Sequence, residues 1–190
     1  MTDIDTSGVD WCVEKFNCIR IEGPLPKSGF DIVWVGSVFT HLPEDSAKDL
    51  MARLLASLKP RGVLAITTHG RCRIERMKSY NWGAERRSRP NFNLTRDEMS
   101  EILSMYQDSG YGYVGYPNAE NYGLCVAEPA WYSRVALAHP GFTQILFQEK
   151  ADNAQDLSAF MREDVGLFTP GPFWKNLPNV LSSTPVQSTG

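Results

Sequence analysis

Residues that build metal sites and covalent staples are scarce in this chain of 190 residues, which holds four cysteines and three histidines. Cys12, Cys18, Cys72 and Cys125 form no C-x-x-C pair, and His41, His69 and His139 form no H-x-x-x-H spacing, so no metal site is expected. Long apolar runs are missing as well. Nothing approaches the roughly 18 residues of a membrane span, and no charged leader followed by an apolar stretch opens the chain, so the expectation is a cytoplasmic protein without a membrane partner. Charge of one sign is also lacking: 19 basic against 22 acidic residues leave a net charge of −3, which indicates no nucleic-acid partner.

What is present suffices for one domain with a real core, since 42% of residues are hydrophobic and 11% aromatic. Thr6 or Ser7 can cap a first helix, with Val9, Cys12, Val13 and Phe16 on one face, ending near Asn17. Cys18 to Ile21 alternates weakly as a strand, and Gly23-Pro-Leu-Pro26 ends it. Phe30 to Val35 is apolar after Asp31, the pattern of a central parallel strand covered on both faces. Ala47, Leu50, Met51, Leu54, Leu55 and Leu58 then recur at helical spacing, Lys59-Pro60-Arg61-Gly62 stops that helix, and Val63 to Thr67 is another buried strand. Strands alternating with helical crossovers predict an α/β fold with a doubly wound, mostly parallel sheet.

Residues 71–93 change character, with seven basic side chains from Arg71 to Arg89 set among Tyr80, Trp82 and Phe92, and read as an irregular insertion or lid over about 70–94. The box Thr95-x-x-Glu98 starts a helix that closes on Gly110. Tyr111 to Val126 holds tyrosine-rich strand fragments, Pro129 opens a helix to about Ala138, and Phe142 to Gln148 and Leu157 to Met161 read as a final antiparallel pair. The domain is expected over residues 1–163. Residues 164–190, punctuated by Pro170, Pro172, Pro178 and Pro185, read as a loosely packed tail on which Phe168, Phe173 and Trp174 could dock.

The segment Phe30-Asp31 before an apolar strand, then Ser37-Val38-Phe39-Thr40-His41-Leu42-Pro43, an amphipathic helix closing on Leu58-Lys59-Pro60-Arg61-Gly62, and the strand Val63 to Thr67 together resemble the middle of a class I S-adenosylmethionine-dependent methyltransferase. Thr2-Asp3-Ile4-Asp5 followed by Val9-Asp10-Trp11-Cys12 resembles that family's second strand and the helix after it. The resemblance runs from about Thr2 to Thr68 and again from about Tyr122 to Arg162. It implies a Rossmann-like fold, S-adenosyl-L-methionine as cofactor and a small-molecule methyl acceptor. One departure stands against it: the family's first strand and its Gly-x-Gly-x-Gly turn would precede Asp3, so the chain reads as truncated at its front, and a partner chain could supply the missing strand.

The resemblance places Asp3 at the ribose hydroxyls, Ile4 beside the adenine and Gly23 where the adenine approaches. Gly36 and Ser37 fall at the crevice end of a strand, near the methionine part of the cofactor, and His41 borders the cofactor or orients the loop. Each has a bland counterpart: Asp3 or Asp5 as a helix cap, Gly23 and Ser37 as turn residues, His41 as a packed loop histidine. His69, directly after a strand, is the candidate general base on the acceptor side. Asp3-Ile4-Asp5-Thr6-Ser7 brushes the D-x-D-x-T/V signature of haloacid-dehalogenase phosphatases, but serine stands at its last position and no later Asp-Asp pair follows. Three readings result: part of an active methyltransferase, a non-catalytic relic acting as a binding module, and a nicotinamide dehydrogenase. The last lacks any Gly-x-Gly-x-x-Gly.

Overall fold

Apolar β-branched residues flanking a long amphipathic helix generate the first large unit of the protein. A computed structural model describes residues 1–3, 5–81, 94–152 and 154–164. Strand β1 (Phe30–Val35) leads into helix α2 (Glu44–Ser57), which returns the chain to β2 (Leu58–Thr68). The two strands pair in parallel, with Val33 opposite Leu64 and Val35 opposite Ile66. Parallel neighbours need a crossover, and α2 supplies it. Glu44 and Asp45 in its first turn suit the positive end of the helix dipole, and its stripe of Ala47, Met51, Leu54 and Leu55 is buried.

Ahead of this unit, α1 (Thr6–Phe16) is capped by Asp5, whose carboxylate accepts from Gly8 N, so the helix-cap reading of that acid holds and the expected cap at Thr6 or Ser7 does not. Neither Thr2–Asp5 nor Cys18–Ile21 forms a strand among the described residues. Instead, Met1 N donates to Ile19 O at 2.7 Å and Ile21 N to Met1 O at 2.9 Å. That pair of bonds is one rung of a parallel ladder across α1, a crossover reduced to its first contact.

The expected stop at Lys59 to Gly62 is instead the start of β2, which runs on from the helix without a loop. The segment from Arg71 is a helix, α3 (Arg71–Lys78), and not an irregular lid. Residues 82–93, with Trp82 and Arg86 to Phe92, lie outside the described residues. Helix α4 (Arg96–Ser109) carries the full capping box of Thr95 and Glu98 and ends on left-handed Gly110. It packs on an antiparallel hairpin of β3 (Tyr111–Gly115) and β4 (Gly123–Ala127), a sheet of its own. Helix α5 (Pro129–Leu137) then leads to β5 (Phe142–Asp152) and β6 (Gln155–Arg162). Strand β6 inserts beside β2, giving a mixed sheet in the order β1-β2-β6-β5 with one parallel and two antiparallel pairs. The tail beyond residue 164, including Phe168, Phe173 and Trp174, lies outside the described residues.

The larger core collects Val35, Met51, Leu55, Leu64, Ile66 and Phe160 with Tyr111, Trp131 and Tyr132. A second core joins Ile74 and Met77 of α3 and Met99 and Ile102 of α4 to Val114, Leu124 and Val126 of the hairpin. The opposite face of the larger sheet is open at β1, where Ile32 is 72% and Trp34 62% exposed. This overturns the expectation of a strand covered on both faces: β1 is an edge of its sheet, and no helix among the described residues covers those two side chains to the extent that burial requires. No helix among the described residues is long and apolar enough to cross a membrane.

Candidate functional site

The carboxyl ends of the parallel strands β1 and β2 converge on the outer edge of β4. Three amides of that edge donate to the two loops: Gly123 N to His41 O at 3.0 Å, Cys125 N to Thr40 O at 2.9 Å, and Ala127 N to His69 O at 2.9 Å. Two imidazoles return the contact. His41 Nδ1 bonds Gly123 O at 2.6 Å, and His69 Nδ1 bonds Cys125 O at 3.1 Å. A carbonyl only accepts, so both Nδ1 atoms carry the proton when the rings are neutral.

The two rings differ at Nε2. His69 is 3% exposed, and its Nε2 meets the Arg73 guanidinium at 2.8 Å. Arginine only donates, so His69 is held as the neutral tautomer. Burial, seconded by the Arg73 charge, pushes its pKa from 6.5 down to about 3. His41 Nε2 has no hydrogen-bond partner among the described residues. Its ring stacks on Tyr122 with centroids 4.6 Å apart and lies 6.0 Å from Tyr116. Burial raises the Tyr116 phenol, which therefore keeps its proton near neutrality.

Ser37 turns the chain at the end of β1 in the left-handed region, φ 58°. Its amide donates to Thr67 Oγ1 at 2.8 Å, and its hydroxyl is engaged by the Gln155 amide at 2.8 and 3.1 Å. Gly36 precedes it, with Trp34 Nε1 3.0 Å from where a Cβ would stand. Asp156 lies next to Gln155, fully buried, with Oδ1 accepting from Lys150 N and Oδ2 without a partner among the described residues. Burial raises its pKa. Farther inside, desolvation pushes the Cys125 thiol up to about 12, so it is a packed, protonated side chain.

Gly36, Ser37, His41 and His69 thus share one edge. Asp3 and Gly23 belong to the separate segment around α1: Asp3 is exposed and accepts from Asp5 N, and Gly23 is a left-handed turn with no described atom within 4 Å of where a Cβ would stand. Ile4 lies outside the described residues. Sequence reasoning missed Thr67, Gln155, Asp156, Tyr116 and Tyr122. The two tyrosines flank a turn with left-handed Asn118 and Asn121, a hairpin signal that could have brought them together. No cluster of His, Cys, Asp or Glu among the described residues could hold a metal ion.

No family model matches the sequence, and no curated protein does. Solved structures do. The PH0226 protein from Pyrococcus horikoshii OT3 is 13% identical, with a TM-score of 0.54 over 85% of this chain and 69% of that one. A Burkholderia thailandensis 1,6-didemethyltoxoflavin-N1-methyltransferase, solved with 1,6-didemethyltoxoflavin and S-adenosylhomocysteine, is 15% identical with a TM-score of 0.44 over 76% and 48%. A SAM-dependent methyltransferase from Methanosarcina mazei is 12% identical, TM-score 0.43, over 75% and 63%. The chain therefore spans about half to two thirds of the length of these proteins. The likeness is one of fold alone, a Rossmann-like α/β architecture.

Proposed function

We propose that the chain carries part of an S-adenosylmethionine-dependent methyl-transfer site and acts on a small-molecule acceptor. The observation that carries this reading is the convergence of the β1 and β2 carboxyl ends, with Ser37, His41 and His69, on one edge of β4. Open α/β sheets bind ligands at such strand ends. The sequence from Phe30 to Thr67, which resembles the class I enzymes, is the part that builds this edge. Away from this edge, in the segment around α1, Asp3 is an exposed carboxylate with one oxygen engaged, able to accept from ribose hydroxyls, and Gly23 has open space for a ring to approach. When bound, the cofactor supplies a methyl carbon activated by the sulfonium; the protein's part is to position the acceptor and manage its proton.

Isothermal titration with S-adenosylmethionine and S-adenosylhomocysteine, with NAD as control, tests the reading. Selective binding of the sulfonium pair, weakened by Asp3→Ala and Ser37→Ala, supports it, and heat from NAD alone sinks it.

A second reading is favoured by β1. Its open ladder and the exposed Ile32 and Trp34 suit a binding module that receives a strand from a partner. In that case the chain folds, binds no nucleoside, and takes up a β-forming peptide.

A further inference from the structure

We propose that β1 is a self-pairing edge: two copies of the chain join antiparallel through their β1 strands, centred on Val33, into one continuous sheet. This rests on the reading of β1 as a strand-receiving edge, names the strand it receives, and is independent of methyl transfer. The two margins of the larger sheet are built differently. Strand β5 carries two register shifts against β6 and holds the charged Glu149-Lys150, with Lys150 left-handed at φ 54°, devices that spoil an edge for pairing. Strand β1 has no proline or lysine, and its single register shift lies at its start, between Phe30 and Ile32. Its one charge, Asp31, is already answered by Lys59 Nζ at 2.7 Å.

The register shows what such an edge can receive. Ile32 lies opposite Val63, and Val63 opposite Met161; Trp34 lies opposite Ala65, and Ala65 opposite Ala159. Both exposed side chains therefore stand on the open face, while Val33 and Val35 stand on the core face beside Leu64 and Ile66. A fitting strand must be apolar on both faces, and β1 itself is. Two copies related by a twofold axis perpendicular to the sheet keep each face on its own side, so only residues that share a face can meet. Centred on Val33, Ile32 of each copy meets Trp34 of the other on the open face, twice over, and Val33 meets its counterpart on the core face. A centre at Ile32 draws the irregular start of the strand into the ladder, and one at Trp34 leaves only Val33 to Val35 paired.

Charge and area fit a second copy as well. In this register the two Asp31 side chains fall at opposite ends, about 13 Å apart along the strand at roughly 3.3 Å per residue, beyond the screening length of about 8 Å at physiological salt. Aromatic side chains bury about 150–250 Å2 each, so one tryptophan, one isoleucine and a strand edge per copy stay short of the roughly 800 Å2 per partner of a standard interface. The dimer is a weak one, in exchange with monomer.

Two measurements on the full chain test this. In sedimentation velocity over a concentration series, the wild type is expected to move from monomer toward dimer and no further. Trp34→Lys, checked for folding by circular dichroism, should weaken the association about tenfold or more, and Leu146→Lys, on the same face at the β5 margin, should leave it unchanged. A monomer at every concentration, open-ended association, or equal loss in both variants overturns the proposal. In the second measurement, Ile32→Cys and Trp34→Cys chains are mixed and treated with dibromobimane, which bridges only thiols a few ångströms apart, and peptide mass spectrometry maps the bridges. Such a mixed pair keeps one Ile32–Trp34 contact. A bridge from position 32 of one copy to position 34 of the other, in excess over 32 to 32 and 34 to 34, supports the register centred on Val33; its absence overturns it. A monomeric chain that still binds a β-forming peptide at β1 overturns self-pairing and keeps the strand-receiving reading, whereas a chain that takes up neither sinks both.

Discussion

At the scale of single residues, the clearest consequence concerns protons. His69 is neutral in the fold, with a pKa lowered from 6.5 to about 3, so the unfolded chain binds a proton there that the folded chain refuses. Stability must then fall as pH drops through the window from about 6.5 to about 3, by up to a few kcal/mol from this ring alone. Chemical denaturation as a function of pH should show that slope, and His69→Leu should flatten it while lowering stability at neutral pH through the orphaned Cys125 carbonyl. Thr67 offers a second handle. Its hydroxyl is the acceptor for the part-buried Ser37 amide, so Thr67→Val should cost about 1–3 kcal/mol in urea unfolding by stranding that N–H. Gly70 is the third. A Cβ there would collide with the buried Asp156 carboxylate, so Gly70→Ala should destabilise by about 1–3 kcal/mol, with relief in Gly70→Ala, Asp156→Gly. The strand-end positions of Ser37, His41 and His69 were legible in the sequence because they follow apolar runs. Their partners were not: Gln155 lies 118 residues from Ser37, and Gly123 lies 82 from His41, distances over which no local pattern speaks.

At the scale of elements, local chemistry spoke plainly where caps and periodicity agreed. The box of Thr95 and Glu98 and the left-handed Gly110 set both ends of α4, and Thr95→Ala should cost about 1 kcal/mol of thermal stability, measured by circular dichroism. Pro129 opens α5 in the same readable way. The failures share a cause. Cys18 to Ile21 has strand-like alternation but only Met1 as a ladder partner among the described residues, and a strand is defined by its neighbours and not by its own residues. Lys59-Pro60-Arg61-Gly62 looks like a stop, yet β2 absorbs it at a register shift opposite Phe30 to Ile32. The basic composition of residues 71–78 hid a helix, because only Ile74 and Met77 turn inward.

At the scale of the whole molecule, the α/β class and its crossover helix could be read from the order of apolar segments, while the mixed sheet order could not, since β6 reaches β2 from nearly 100 residues away in sequence. The uncovered apolar face has a measurable outcome. Trp34→Lys should reduce dye binding and concentration-dependent association in sedimentation velocity, with little loss of stability because the side chain is 62% exposed.

The clasp between β4 and the two loops has one more result. The amides of Gly123, Cys125 and Ala127 are secured by loop carbonyls and not by a neighbouring strand. Their deuterium uptake should therefore rise and fall as a trio, slowing when a guest settles between the histidines. Three reporters on a hairpin margin would announce the guest before its chemical nature was known.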